Sequence, residues 1–549
     1  HFTVTNNDTS CISSTADVTI SDIRSITEWN GSGWSNGNPK DDLTGNKIAR
    51  ISSVLPSQPF SASTVNLTVC SLEIRVPSAD TDPNVIIPSN MTLTVTNAID
   101  SNGKLVFESG SSLLQGDNAV NTGSISYKRS VSLTRYDVVY WASPVTDATM
   151  SMYKFSPNTL WDKYHFWNPA AESWVLSDNG TEIMTKGKGY SIRAPQYFDL
   201  VTPDTFEGTF VGVPNNGDVT VETEENKYNL IGNPYPSAID ASELILETNK
   251  DVLGAIYLWS HNQPPVFDSP SNSFEYISSD FIVFNGVGSI RLDVTNGPID
   301  EFDANIAAGQ SFLAMPTVNE IKFNNGLRRG SADNTQFYKT AKKIEKNRLW
   351  LNIANTKGVF KQLLIGYLDG ATNRNDLSYD AETMDGNSNI DFYTINESKN
   401  LTIQGRALPF DNAEVIPLGY RSSVDDKGDR NFTISIDHAD GFFDTQEVYL
   451  EDKVTGKVID LRKENYTFFT EATTNTNRFV LRYTNKTLGT GDFENLENSV
   501  LVSVKDKAVK IISSKQTIKE VNIFNVGAHH LYSNNKVNAS ELQITNLHS

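Results

Sequence analysis

The sequence is short of cysteine, histidine and long apolar runs, and each shortage removes a class of explanation. Only two cysteines, Cys11 and Cys70, stand in 549 residues. That is too few for a disulfide-stapled scaffold or a cysteine-rich metal site. A single Cys11–Cys70 disulfide is one expectation for an exported chain, and two buried thiols are the alternative. The seven histidines are scattered, and none has a partner at metal-ligand spacing. His529 and His530 are neighbours beside an expected turn and read as exposed turn residues. The longest apolar run, around Leu363 to Leu368, is long enough for a strand. A membrane-spanning helix needs far more.

Charge is also sparse, and one sign prevails. Charged residues make up 20%, with 46 Lys+Arg against 66 Asp+Glu, for a net charge of −20. A field of that sign repels phosphate backbones, so nucleic acid is not an expected partner. It keeps an exported protein soluble and suits cations. Aromatics reach 10%, with 20 Tyr, 27 Phe and 8 Trp. Aromatic and β-branched strands joined by Asn, Asp and Gly turns give an all-β fold. The length calls for several domains.

Four stretches differ in texture. In residues 1–130, short apolar cores alternate with Asn/Ser/Gly turns: Val85–Ile87, Leu93–Val95, Lys104–Phe107 and Ser124–Tyr127. These read as β-solenoid-like rungs, with an antiparallel sandwich as the alternative. Rungs bury one face against a neighbour, so more are expected before His1. No signal peptide is present, and the chain reads as part of a longer one. Residues 131–345 read as a β-sandwich with Trp-rich loops. A short helix is expected over Ser237–Leu246, with Ser237 as N-cap after Pro236. Residues 346–487 read as a second sandwich of jelly-roll type. Residues 488–549 read as an incomplete Ig-like unit, because a sandwich normally needs about seven strands.

Motifs for chemistry are weak. Gly33-Trp34-Ser35-Asn36-Gly37 has the G-x-S-x-G form, but its flanks make a loop where a nucleophile elbow needs a strand and a helix. No catalytic residue is assigned. Asp385, Asn387, Asn389 and Asp391 place oxygen ligands at alternate positions, as a Ca²⁺ loop does. Asp376 and Asp380 stand close enough in sequence to add ligands. An Asx-rich turn without metal is the alternative. Trp161 and Trp167, in Trp161-Asp162-Lys163-Tyr164-His165-Phe166-Trp167, are candidates for stacking on glycans, whereas most other Trp read as core. Asn233-Pro234-Tyr235-Pro236 reads as a rigid turn, with a cis bond as one option.

Several phrases resemble the C-terminal regions of large exported proteins from gliding and related Bacteroidetes. They are NLIGNPYPSAIDAS (229–242), RLWLNIANTKGVFKQLLIGYLDGATN (348–373), LTIQGRALPF and IPLGYRS (within 401–422), DGFFDTQEVYLEDK (440–453) and NRFVLRYTNKTLGTGDFE (477–494). The segment 502–547 is similar to the sorting domain of type IX secretion cargo. Where that family has a G-R-x-L turn, this chain reads Gly527-Ala528-His529-His530-Leu531. The resemblance implies passage through the outer membrane, with the translocon engaged through 488–549, and a place at the outer cell surface or outside the cell. It implies no reaction. The expectation is a non-catalytic surface protein: an adhesin, stalk or filament component whose partners are surface glycans or other surface proteins. The alternative is a secreted carbohydrate-binding or carbohydrate-degrading protein with its site in the Trp-rich stretch.

Overall fold

The computed structural model describes residues 25–29, 31, 33–39, 47–52, 67–77, 84–259, 266–268, 273–275, 281–290, 302–334, 347–384, 389–424, 428–485, 500–505, 508–513, 517–524 and 530–545. The fold is all-β. It divides into two compact units, His1–Tyr483 and Thr484–Ser549. The expected boundaries near residues 130 and 345 both fall inside the first unit.

The N-terminal part is a β-solenoid-like stack. Ile26–Trp29, Ile48–Ile51, Ser71–Ile74, Ile99–Phe107 and Thr122–Leu133 pair in parallel, each with the next. A second parallel ladder joins Leu67–Val69, Thr92–Val95 and Ser112–Gln115. Side chains alternate across a strand, so one set from each rung points inward. Ala49, Ile51, Leu72, Ile74, Leu93, Val95, Ile99, Leu113 and Ile125 form a continuous aliphatic core. Outward positions carry charges that pair between rungs, as in Arg50–Glu73 at 2.8 Å and Arg75–Asp100 at 2.5 Å. The stack is closed by an antiparallel strand, Asp204–Pro214, laid along Thr122–Leu133. Gly123, at φ +70°, lies so close to the Ser101 carbonyl that no Cβ fits there.

Beyond the stack, Val138–Ala142, Gly189–Arg193, Tyr164–Asn168 and Ser173–Leu176 form an antiparallel sheet in that order. A second sheet orders Asn229–Gly232, Ser311–Ala314, Ile256–Trp259, Phe281–Phe284 and Ser289–Ile290. The expected helix begins later than the sequence suggests. Ala238 and Ile239 pair with Arg329 and Arg328, and Ile239 also pairs with Ile306. The helix starts at Ala241 and runs through Glu243 into a π-helical turn over Leu244–Thr248; its start is capped by the Asp240 carboxylate, which accepts from the Glu243 N–H at 2.9 Å. Strand pairing thus overrides the local cap signal of Ser237. The 233–236 turn is trans throughout; the cis peptide among the described residues is Leu408–Pro409. Asn233 holds that turn, donating to the carbonyls of Ser237, Ile306 and Ala307 at 2.9–3.1 Å.

Among the described residues, 348–482 form one eleven-stranded sheet, a path of ten strands with Ala381–Glu382 paired beside it. It is antiparallel except where Phe360–Leu368 runs parallel to Lys399–Ala407. The path curls on itself. Its terminal strand Tyr466–Phe469 brings Phe468 within 4.7 Å of Phe479 on Thr473–Arg482, which lies near the other end. Inward residues Leu349, Leu351, Leu363, Ile365, Phe392, Leu418, Phe432 and Leu481 fill the space between. Trp350 points the other way, and its Nε1 donates to Ser289 O at 2.9 Å. With Leu364 and Ile403 it shares a core with Tyr257, Trp259 and Phe281. The second unit holds Val500–Lys505, Ala508–Ser513 and Glu541–Thr545 in one antiparallel sheet and Val521–Phe524 with His530–Asn534 in another. Its small core is centred on Ile511, Val521 and Ile544.

The end of the segment 302–334 binds the rungs through Asn334, which is fully buried. Its amide donates to Ser111 O at 2.6 Å and Tyr127 Oη at 2.8 Å, and its Oδ1 accepts from Ala308 N–H at 2.9 Å. Asn334→Ala strands those groups away from water and is expected to cost about 2–4 kcal/mol. Urea unfolding followed by tryptophan fluorescence measures this; a loss under about 0.5 kcal/mol, the range of ordinary surface changes, contradicts it.

Candidate functional site

The strand Tyr164–Asn168 organises the Trp-rich region, and it separates the two candidate tryptophans. Trp161 precedes it and is 57% exposed. Its carbonyl accepts from Asn179 N–H at 3.1 Å. Tyr153, on the short helix Met152–Phe155, and Tyr197 are also exposed. Trp167 stands near the other end of the strand, half-buried, opposite Trp174. The two rings meet edge to face at 5.2 Å. The Trp167 Nε1 donates to Tyr228 O at 2.5 Å, which fixes the ring. Behind it runs an aromatic series: Trp174 to Tyr140 at 5.3 Å, Tyr140 to Trp259 at 5.3 Å, and Trp259 to Phe281 at 5.0 Å. Trp141, Trp259 and Trp350 are buried and structural.

Trp167 lines a cleft of about 720 Å³. Its strand forms one wall with Phe166, and the strand Val219–Glu222 with the following Thr223 and Glu224 forms the facing one. Along Val219-Thr220-Val221-Glu222-Thr223-Glu224 buried and exposed positions alternate, so Glu222 and Glu224 share the exposed side. Glu182, Glu320 and the exposed Lys188 complete the charged lining. The turn at the cleft's edge is tied down by Glu172, whose carboxylate pairs with Lys227 Nζ at 2.7 Å and accepts from Tyr228 N–H at 3.3 Å. These bonds hold the Glu172 carboxyl below its ordinary range. The alternation signal at 219–224 was there to find the two glutamates. Lys188 had no local signal.

The remaining candidates do not converge on this cleft. Cys70 is buried and its sulfur accepts from Asn97 Nδ2 at 3.2 Å. Cys11, and with it the disulfide, lies outside the described residues, as do Asp385 and Asn387. Asn389 is described and exposed. Asp391 is buried, and its Oδ1 meets the Lys361 ammonium at 3.4 Å and the Thr383 hydroxyl at 2.7 Å. A cation already faces that carboxylate. Asp376 is engaged locally, accepting from the Thr372 N–H and hydroxyl. Among the described residues, no group of three or more acidic, His or Cys side chains is placed to hold a metal ion. In the G-x-S-x-G segment the Ser35 hydroxyl accepts from Glu28 N–H at 2.9 Å, and Trp34 bridges back to Trp29.

Asp380 is buried, accepting from Asp376 N–H at 2.8 Å and Gly405 N–H at 2.9 Å. Burial pushes its carboxyl up to about 7. A raised value means that folding favours the protonated form. That contribution is complete below the unfolded value of about 4 and fades as pH rises through the folded one. Lowering pH from 8 to 5 therefore adds stability through this group. Asp380→Asn is expected to flatten the stability slope over that range by about 1–3 kcal/mol. Thermal melts of both proteins across the range test it, and identical slopes refute it.

A family model described as Domain of unknown function (DUF8693) matches residues 27–483. A second, Domain of unknown function (DUF8694), matches residues 488–549. Comparisons with curated proteins and with solved structures found no match. The passage from one family model to the other falls where the structure divides into its two units. With most of its length covered by the first model, the chain belongs to the DUF8693 family.

Proposed function

We propose that this chain is a non-catalytic exported cell-surface protein, an adhesin, stalk or filament component, with residues 488–549 as its type IX secretion sorting segment. One observation carries the reading: a large β body is followed by a small, separately compact strand unit that matches its own family model. A detachable address suits this build, because the small unit has a core of its own at Ile511, Val521 and Ile544. The resemblance of 502–547 to sorting domains supports the same assignment. The body suits a surface role. Stacked parallel rungs are stiff, and their outward charges are paired between rungs. Binding then falls to loops and clefts held on a rigid frame.

A carbohydrate-binding reading stands beside it, favoured by the cleft at Trp167. The two are compatible, since a surface adhesin commonly needs a glycan site.

Export is tested by expressing the full chain and a version lacking 488–549 in a bacterium with the type IX system. Surface protease accessibility and pull-down of outer-membrane partners are read for both. The full chain is expected at the surface with the translocon recovered, and the shortened chain is expected to stay inside, folded. Equal surface delivery and equal recovery of the translocon overturn the assignment.

A further inference from the structure

We propose that the cleft between the Phe166–Trp167 strand and the Val219–Glu224 wall binds a neutral, hydroxyl-rich saccharide chain. The proposal rests on the carbohydrate-binding reading and gives it a place and a ligand class. The cleft's volume of about 720 Å³ lies within the range of sites that enclose a small ligand. It combines two kinds of surface. Phe166 and Trp167 offer apolar ring area, which packs against the C–H faces of a pyranose. Glu182, Glu222, Glu224, Glu320 and Lys188 offer acceptors and a donor.

Four of these five charged groups are unusual in their surroundings. Other charges find partners, as Glu172 does with Lys227 at 2.7 Å and, within the lining, Glu320 with Lys322 at 3.6 Å. Among the described residues, the side chains of Glu182, Glu222, Glu224 and Lys188 make no ion pair or hydrogen bond. They stay available although they share one cleft.

Their mixture of sign selects the ligand. An anionic chain meets four carboxylates, and like charges at close range are repelled. A polycation meets the Lys188 ammonium in the same cleft. A neutral sugar hydroxyl both donates and accepts, so it serves carboxylate and ammonium alike. The fixed Trp167 ring, held through its Nε1 to Tyr228 O, costs no further ordering when a sugar lies against it.

The test is calorimetric titration of the purified full chain with cellohexaose, laminarihexaose and mannohexaose. Oligogalacturonate serves as the anionic probe and a glucosamine hexamer as the cationic one. At least one neutral hexasaccharide is expected to bind, with affinity nearly constant from about 50 mM to about 500 mM salt, because no net charge is screened. Trp167→Ala, and separately the double variant Glu222→Gln/Glu224→Gln, are each expected to weaken binding by about tenfold or more. The double variant alters exposed side chains and should melt like the parent, so its loss of binding cannot be blamed on unfolding. Neutral-glycan binding that survives in both variants overturns the cleft assignment while leaving the carbohydrate reading intact. Binding only of the glucosamine hexamer, weakened by salt, overturns the ligand class. No binding in any arm overturns both this proposal and the reading beneath it.

Discussion

The structure depends on how a parallel stack is closed. A rung strand has backbone donors and acceptors on both edges, and the last strand of a stack leaves one edge unpaired. Here that strand is Thr122–Leu133, and the antiparallel strand Asp204–Pro214 satisfies it. Closing the edge with a distant strand has a consequence. The sheet of 138–193 is looped out between the last rung and its cover, so it cannot drift away as an independent domain. The chain then returns to the rungs a second time. Asn334 reaches Ser111 and Tyr127, and Arg328 reaches Leu113 O. Two returns make the rungs and the Trp-rich region one body, consistent with the single unit up to Tyr483.

The second return uses a buried cation without a carboxylate partner. Arg328 is surrounded by neutral acceptors: Leu113 O, Asn216 Oδ1 at 3.0 Å and Asn325 Oδ1 at 3.2 Å, with the Tyr235 ring 5.0 Å from its guanidinium carbon. Burial lowers its value to about 10, so it remains charged at neutral pH. Elsewhere the body uses full pairs. Arg348 meets Asp440 at 2.6 Å, and Arg478 meets Asp452 at 2.9 Å, with both partners largely buried. A buried pair adds little net stability but is costly to break, because one charge is left alone in a poor solvent. Such groups fix which strand meets which. That matters where apolar packing alone discriminates poorly between strands of similar composition.

Much of this was legible in the sequence, and the failures have physical causes. The apolar triplets at 85–87, 93–95 and 104–107 are rungs because their spacing lets them stack, and stacking is a local property. The helix start at Ser237 was misplaced because Ala238 and Ile239 are taken by strands more than sixty residues away. No local cap signal can register that competition. At Asp391 the sequence shows only the oxygen spacing of its own loop, whereas Lys361, which faces the carboxylate, comes from a separate strand that no local pattern points to. Trp161 and Trp167 look like one cluster in sequence, but an extended strand between them carries one away from the other. Glu222 and Glu224, by contrast, needed only the period of two that already marked their strand.

Address and binding surface are separable on physical grounds. Every residue lining the cleft lies between Phe166 and Glu320, inside the first unit. The walls are held by bonds internal to that unit: Trp167 to Tyr228, Glu172 to Lys227, and the Val219–Glu222 strand to Glu320–Phe323. The cleft's shape and charge therefore follow from the first unit's own residues. The converse also holds, because the second unit has its own core at Ile511, Val521 and Ile544. A ligand in the cleft gains nothing from that core. The proposed export signal and the proposed glycan site are thus free to change independently, which is the economy expected when one kind of address serves bodies with different partners.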